Sequence, residues 1–360
     1  MRRLVIFERH HLGDAVMALP FLRAARDNYR TSVVCRPPVA AFLRAAIQNI
    51  EILETTDSWR AVARQAHSLG LGKFDAAACV WADARAHLLM AWSGAGIRAG
   101  FPMTPANYYA PDIPWRRRRL WAGKLLTTAA ERARGESLLT KPIDRTRRSQ
   151  HHMEDWRQLA MALGFEPDYR TPWLTVDESA PADVSNFVAV HKGLKILLLH
   201  PGGRLPTKRW PYFPELLARL DRQNVAVLIL HPPEETGPEP CGPLQKVIRV
   251  PDWPGLFATF QIVDAVVCND SMASHLAAAV GKPVVAVFGS GNPEWFAPWK
   301  NARFVAAADA CKFRPCIDRC VMPALVCLNS TGVQLVENRV RSALGMGPAP
   351  ESHQQRNAES

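Results

Sequence analysis

Short unbroken apolar runs alternate along the chain with stretches whose apolar positions recur every three or four residues. Leu4–Phe7 is a run of the first kind, ended by Glu8-Arg9-His10-His11. The residues after Gly13 take up helical spacing down to about Arg26. Thr31–Cys35 predicts a second strand, Val39–Ala46 a second helix and Ala76–Trp81 a further strand. Apolar strands alternating with helices are the mark of a parallel sheet covered by helices. From about residue 95 to 150 the periodicity weakens, and Pro, Trp, Tyr and Arg accumulate. Met153–Leu163, stopped by Gly164, predicts an amphipathic helix. Residues 177–194 are polar and unpatterned and read as a linker. The rhythm then restarts with Lys195–His200, a helix over Pro211–Arg222, Val225–Leu230, and strands at 262–268 and 284–288. The predicted class is α/β, with Rossmann-like domains at 1–176 and 195–345 and a polar, disordered tail at 346–360. There is no internal repeat. No G-x-G-x-x-G occurs, which weighs against a dinucleotide dehydrogenase.

With 360 residues the chain has room for two cores, and its 48% hydrophobic and 21% charged content is that of an ordinary globular protein. Charge adds a constraint. Forty-four Lys and Arg against 33 Asp and Glu leave a net +11, which favours nucleic acid, acidic membrane or phosphorylated substrate as partner. The N-terminal apolar run is too short for a signal peptide, and no stretch reaches the roughly 18 uncharged residues of a spanning helix. A cytoplasmic protein that touches a membrane surface is expected. Of eight cysteines, Cys35, Cys79, Cys241 and Cys268 are scattered, three of them in apolar contexts. The rest form Cys311-x4-Cys316-x3-Cys320-x6-Cys327. In a reducing compartment this grouping suggests metal more than disulfides, yet it lacks the Cys-x2-Cys knuckle of zinc sites. A loop of half-buried thiols is the competing reading.

Four segments carry candidate chemistry. Cys268-Asn269-Asp270-Ser271-Met272-Ala273-Ser274-His275 links two apolar runs through a helix that closes at Gly281. Asp270 or Ser271 can cap that helix, and its free N–H groups suit a phosphate. His275, one turn on, faces the same spot or is a structural helix histidine. His10-His11-Leu12-Gly13-Asp14 follows the first strand, where parallel sheets bind ligands. Gly13 permits a tight turn, and Asp14 is either a general base or a helix cap. In the second half, His200-Pro201-Gly202-Gly203-Arg204-Leu205-Pro206-Thr207-Lys208-Arg209-Trp210-Pro211 occupies the matching place. Gly202, Gly203, Thr207 and Lys208 make a phosphate cradle, against the alternative of a solvated basic turn. Trp115-Arg116-Arg117-Arg118-Arg119-Leu120-Trp121 suits a phosphate-rich or membrane surface, or is a solvated face. A nucleic-acid interface would also use these cations, but no recognised nucleic-acid motif accompanies them.

Together these segments resemble glycosyltransferase family 9, the lipopolysaccharide heptosyltransferases. The matching pieces are Leu12-Gly13-Asp14-Ala15-Val16-Met17-Ala18-Leu19-Pro20, His200-Pro201-Gly202-Gly203 with Lys208-Arg209-Trp210-Pro211, and Asn269-Asp270-Ser271 with His275-Leu276-Ala277-Ala278-Ala279. Phe288-Gly289, Pro293, Pro298 and Cys327 follow in the family's order, over about residues 3–335. The resemblance implies a GT-B fold, two Rossmann-like domains facing across a cleft, with acceptor on the first and nucleotide-sugar on the second. It implies an inverting transfer from ADP-heptose to a lipopolysaccharide inner-core acceptor at the inner membrane, with no required cofactor and no nucleic acid. Asp14 would be the base, and Lys208, the helix N-terminus at Asp270, Ser271, Met272 and Ala273, and His275 would hold the departing diphosphate. An acidic residue near the sugar or ribose falls at Glu235, with Glu234 as the alternative. Arg116–Arg119 would meet the phosphorylated, lipid-anchored acceptor. Transfer of another sugar, glycosylation of a protein, and non-catalytic nucleotide-sugar binding stay open. The family's Gly after Asn-Asp-Ser is Met272 here, and His231-Pro232-Pro233 replaces a Gly-rich turn.

Overall fold

The computed structural model describes residues 1–56, 58, 64, 73–147, 150–232, 237–301, 305–307 and 311–347. The chain divides into two units, Met1–Leu174 with Glu294–Phe296, and Thr175–Pro293 with Ala297–Ser360. Each is built on one parallel sheet.

The first unit has strands β1 (Arg3–Glu8), β2 (Arg30–Cys35), β3 (Glu51–Glu54), β4 (Ala76–Cys79), β5 (Ile97–Gly100) and β6 (Lys141–Pro142). They run parallel in the order β3-β2-β1-β4-β5-β6. Its helices are α1 (Leu12–Asn28), α2 (Pro37–Ala46), α3 (Ala84–Trp92), α4 (Pro114–Arg134) and α5 (His152–Leu163). Leu4, Val5, Ile6 and Phe7 are all buried, as a strand covered on both faces must be. The strand order reverses direction between β1 and β4. That switch point opens a crevice at the carboxyl ends of these two strands.

The second unit repeats the plan with α6 (Ala182–Val190), β7 (Lys195–His200), α7 (Phe213–Asp221), β8 (Val225–Leu230), β9 (Gln245–Ile248), α8 (Trp253–Ile262), β10 (Ala265–Asn269), α9 (Met272–Ala279) and β11 (Val284–Val287). Short helices α10 (Pro293–Phe296) and α11 (Val326–Asn329) precede α12 (Val333–Ala343). The sheet order is β11-β10-β7-β8-β9, all parallel, so its switch point lies between β7 and β10. Leu197, Leu199, Val227 and Ile229 pack against Phe213, Leu216 and Leu220 of α7 and Val336 and Val340 of α12.

Two readings of the sequence change here. The polar stretch 177–194 carries helix α6, whose Val184 and Phe187, three positions apart, are buried. The weakly periodic 95–150 stretch contains β5, β6 and the 21-residue α4. Pro114 opens α4 and Gly135, at φ +71°, closes it. Beyond its end, the buried Arg98 donates to the carbonyls of Leu138 at 2.8 Å, Ala95 at 2.9 Å and Ser137 at 2.8 Å, which ties that segment to β5. Of the tail called at 346–360, all but Met346 and Gly347 lie outside the described residues.

Candidate active site

In the first unit β1 ends in Glu8, and the chain turns through His10 and His11 into α1. Asp14 is the third residue of that helix, 8% exposed, and its carboxylate accepts the His11 N–H at 2.9 Å. The capping role therefore exists, and it uses one backbone donor. The same bond holds the carboxylate at the switch-point crevice.

Glu8 is a functional candidate that the sequence reading passed over as a mere end to the apolar run. It is fully buried, and its Oε1 accepts the His10 N–H at 3.1 Å. Burial drives its pKa well above the ordinary carboxyl value, and the neighbouring Asp14 charge adds to the rise. The signal was present: a carboxylate terminating a wholly apolar strand at a ligand-binding end. Arg36 donates to the His10 carbonyl and lies 3.0 Å from His11 Nδ1.

Aromatic rings line the same region. His10 stacks on Trp81 with centroids 4.1 Å apart, and His152 meets Trp81 at 4.5 Å. Burial lowers the His10 pKa to about 4, which makes it a neutral ring. Beside it, Asp155 accepts from Arg145 at 2.8 Å and from the Tyr109 hydroxyl at 2.7 Å. Burial alone would raise the Asp155 pKa, but His152 and Arg145 bring it below its usual value. The Arg145 guanidinium also lies 3.7 Å from the Tyr109 ring centroid. This buried network stiffens the wall of the crevice.

In the second unit the switch point is bound together by Asn269, the last residue of β10. Its amide donates to the carbonyls of Pro201 at 2.7 Å and Gly202 at 3.2 Å, and its Oδ1 accepts the Trp210 N–H at 3.0 Å. One side chain thus fixes both ends of the 201–210 loop. A Cβ at Gly202 would stand 3.0 Å from the His200 ring, so that ring would have to give by a few tenths of an ångström. Burial lowers the His200 pKa to about 4. Gly203 faces no comparable contact.

Lys208 Nζ lies 2.7 Å from Asp270 Oδ2. A Cβ on Gly291 would come 2.2 Å from that same oxygen, so the 289–291 loop closes directly over the pair. The expected caps are not formed. Ser271 is the N-cap of α9 without a side-chain bond, because Asp270 is turned to Lys208 and the buried Ser271 hydroxyl has no hydrogen-bond partner among the described residues. Met272, half-buried, and Ala273 open the helix, and His275, 6% exposed, lies in its first turn. Thr207 is used differently from a phosphate donor: its hydroxyl donates to the Ile317 carbonyl at 3.0 Å, as does that of Ser290 at 2.6 Å. At the ends of β7 and β8 a cavity of about 360 Å³ is lined by Pro201, Gly202, Arg209, Trp210, His231 and Pro232 among others. His231 is 1% exposed, and neither ring nitrogen has a hydrogen-bond partner among the described residues.

Glu234 and Glu235 lie outside the described residues. Arg117, Arg118 and Arg119 are exposed on α4, and Arg116 is half-buried there. Among the described residues no group of three or more His, Cys, Asp or Glu side chains is placed to hold a metal. Cys316 and Cys327 are buried, whereas Cys311 and Cys320 are half-buried. Burial, and then the nearby thiols Cys320, Cys327 and Cys311, push the Cys316 pKa up to about 11, so without a metal it is a protonated thiol. Cys35, Cys79 and Cys268 are buried free thiols and Cys241 is exposed.

The sequence model of glycosyltransferase family 9 (heptosyltransferase) matches residues 122–322, more than half of the chain. The chain belongs to glycosyltransferase family 9. It is therefore a glycosyltransferase, and its two Rossmann-like α/β units are those of the GT-B fold. Solved structures agree at the level of fold. Escherichia coli ADP-heptose LPS heptosyltransferase II superposes with a TM-score of 0.64 at 17% identity, over 96% of this chain and 98% of that one. The E. coli heptosyltransferase WaaC with ADP gives 0.56 at 17% identity, over 81% and 88%. TibC of enterotoxigenic E. coli, described as an iron-containing dodecameric glycosyltransferase, gives 0.55 at 13% identity, over 95% and 76%. A comparison of the sequence with curated proteins gave no match.

Proposed function

We propose that this family 9 enzyme transfers a heptose, with inversion, from ADP-heptose to a phosphorylated, lipid-anchored inner-core acceptor of lipopolysaccharide. The observation that carries the reading is the pair of carboxyls at the end of β1. Burial and the Asp14 charge drive the Glu8 pKa up, and Asp14, held at the switch point by the His11 N–H, is the group assigned to accept a proton. Asp14 takes the proton of an acceptor hydroxyl. The freed oxygen forms a bond to the anomeric carbon as the bond to the donor diphosphate breaks. The departing charge is met by Lys208, the N–H groups opening α9, and His275. The reaction as written asks for no metal ion. The cavity under His231 suits the donor nucleoside, because a buried imidazole with no hydrogen-bond partner among the described residues, in a slot walled mainly by proline and aromatic side chains, can bond one edge of a base.

The acceptor places the enzyme at the cytoplasmic face of the inner membrane, as a peripheral protein. A second reading, transfer of a different sugar or to a different acceptor, is favoured by Met272 and His231, which depart from the family where the donor would bind.

The test is a transfer assay with ADP-heptose and heptose-deficient lipopolysaccharide, run beside calorimetric titration with ADP. Asp14→Asn should lower turnover by about 10²- to 10⁴-fold and leave ADP affinity unchanged. Full activity in that variant removes Asp14 as the base. Binding of UDP-sugars but not ADP-heptose overturns the donor.

A further inference from the structure

Helix α4 buries almost none of itself. Of its 21 residues, only Leu120 and Thr127 are buried. Leu120 packs with Ala82 and Met103, with Tyr108 against them, and this fixes which side of the helix faces inward. At 3.6 residues per turn, Arg118, Ala122, Leu125 and Ala129 point the opposite way, with Trp121 on one flank about 100° from Leu120. Trp121 is 52% exposed, Leu125 74% and the adjoining Leu126 37%. These exposed apolar residues have Arg118 among them and are bordered by exposed Arg117, Arg119 and Lys124, with the Lys124 ammonium 5.4 Å from the Trp121 ring centroid. No acidic residue occurs in α4 before Glu131.

We propose that α4 lies in the headgroup plane of an anionic lipid bilayer, with Trp121, Leu125 and Leu126 among the upper acyl carbons and the arginines and Lys124 on lipid phosphates. The charge pattern selects this occupant. A helix with an apolar stripe between cationic margins binds in the plane of such an interface. A nucleic acid would engage the cations and leave Leu125 in water. A second copy of the chain would set its own arginine run against this one. No described helix is long and apolar enough to cross a membrane, so the attachment is along the surface. The proposal deepens the acceptor reading, on which it rests only for what the lipid surface presents.

The full chain is mixed with vesicles of phosphatidylglycerol and phosphatidylethanolamine, or of phosphatidylcholine alone, and sedimented. Wild type is expected with the anionic vesicles and not with phosphatidylcholine. Trp121→Ser/Leu125→Ser alters exposed positions only, so ADP binding and circular dichroism should be kept while partitioning falls at least about tenfold. Arg117→Gln/Arg118→Gln/Arg119→Gln should remove the preference for anionic lipid. Brominated acyl chains should quench part of the tryptophan emission, a part that is missing in Trp121→Phe. Equal sedimentation of wild type and Trp121→Ser/Leu125→Ser overturns the proposal, as does wild type left in the supernatant, whether it there forms a dimer or binds a DNA oligomer. Asp14→Asn should bind vesicles like wild type, so loss of transfer and loss of lipid binding are told apart.

Discussion

Desolvated histidines make this protein less stable in acid. His87, 2% exposed on α3, has its pKa lowered to about 4 by burial, and His200 is lowered to about 4 in the same way. In the unfolded chain each titrates near 6.5. Between these values the unfolded state binds more protons than the folded one. Each histidine therefore costs about 1.4 kcal/mol per pH unit as pH falls from about 6.5 toward about 4, and costs nothing above that window. Asp155 acts lower down. Its depressed pKa gives stability that is present above the ordinary Asp value and lost as pH falls through the folded one. Urea unfolding of His87→Leu across pH 4 to 7 should show a shallower decline than wild type, and an unchanged slope would remove His87 from this account. At this scale Asp14, Lys208 and Asp270 were legible, because each stands at a strand-to-helix turn. Glu8 was only half legible: its place at the end of an apolar strand could be read, but its complete burial beside Asp14 could not.

Among elements, α9 with the loops around it makes the proposed donor side, and its Asn-Asp-Ser start divides its labour. Asn269 ties the 201–210 loop, Asp270 holds Lys208, and Ser271 begins the helix. Gly291 completes the arrangement by allowing the chain to pass over Asp270. In Gly291→Ala the new methyl must displace the Asp270 carboxylate from Lys208. A charge-assisted contact of this kind is worth about 1.5–3 kcal/mol, so ADP affinity measured by calorimetry should change by about tenfold or more. Affinity equal to wild type would show the pair to be uncoupled from nucleotide. The long strands β1, β7 and β8 were legible as apolar runs buried on both faces. Helix α4 was not, because two buried positions in 21 leave no period to read. β3 and β9 are four-residue edge strands with exposed or half-buried positions, and α6 keeps only Val184 and Phe187 inside.

For the whole molecule, the repeated strand–helix rhythm was enough to predict two sheets. It was not enough to give their order, since switch points arise from long-range pairing. The net charge of +11 acts at this scale too. Raising ionic strength from 0.01 M to 0.15 M shortens the Debye length from about 30 Å to about 8 Å. Transfer to an acceptor held in anionic vesicles should then show a KM several-fold higher with kcat little changed. A KM indifferent to salt would mean that long-range attraction plays no part in reaching the acceptor.

The contact between Lys208 and Asp270 has one more outcome. The cation already has an internal partner at 2.7 Å, so an arriving anion gains only the difference between its own attraction and that of the carboxylate. Inorganic phosphate or sulfate has little beyond charge to offer in that exchange. A nucleotide-sugar adds a base and a sugar, each with its own contacts. With Lys208 in its proposed place on the donor diphosphate, the pair would act as a filter, one that favours large composite ligands over the small anions that compete for any bare lysine.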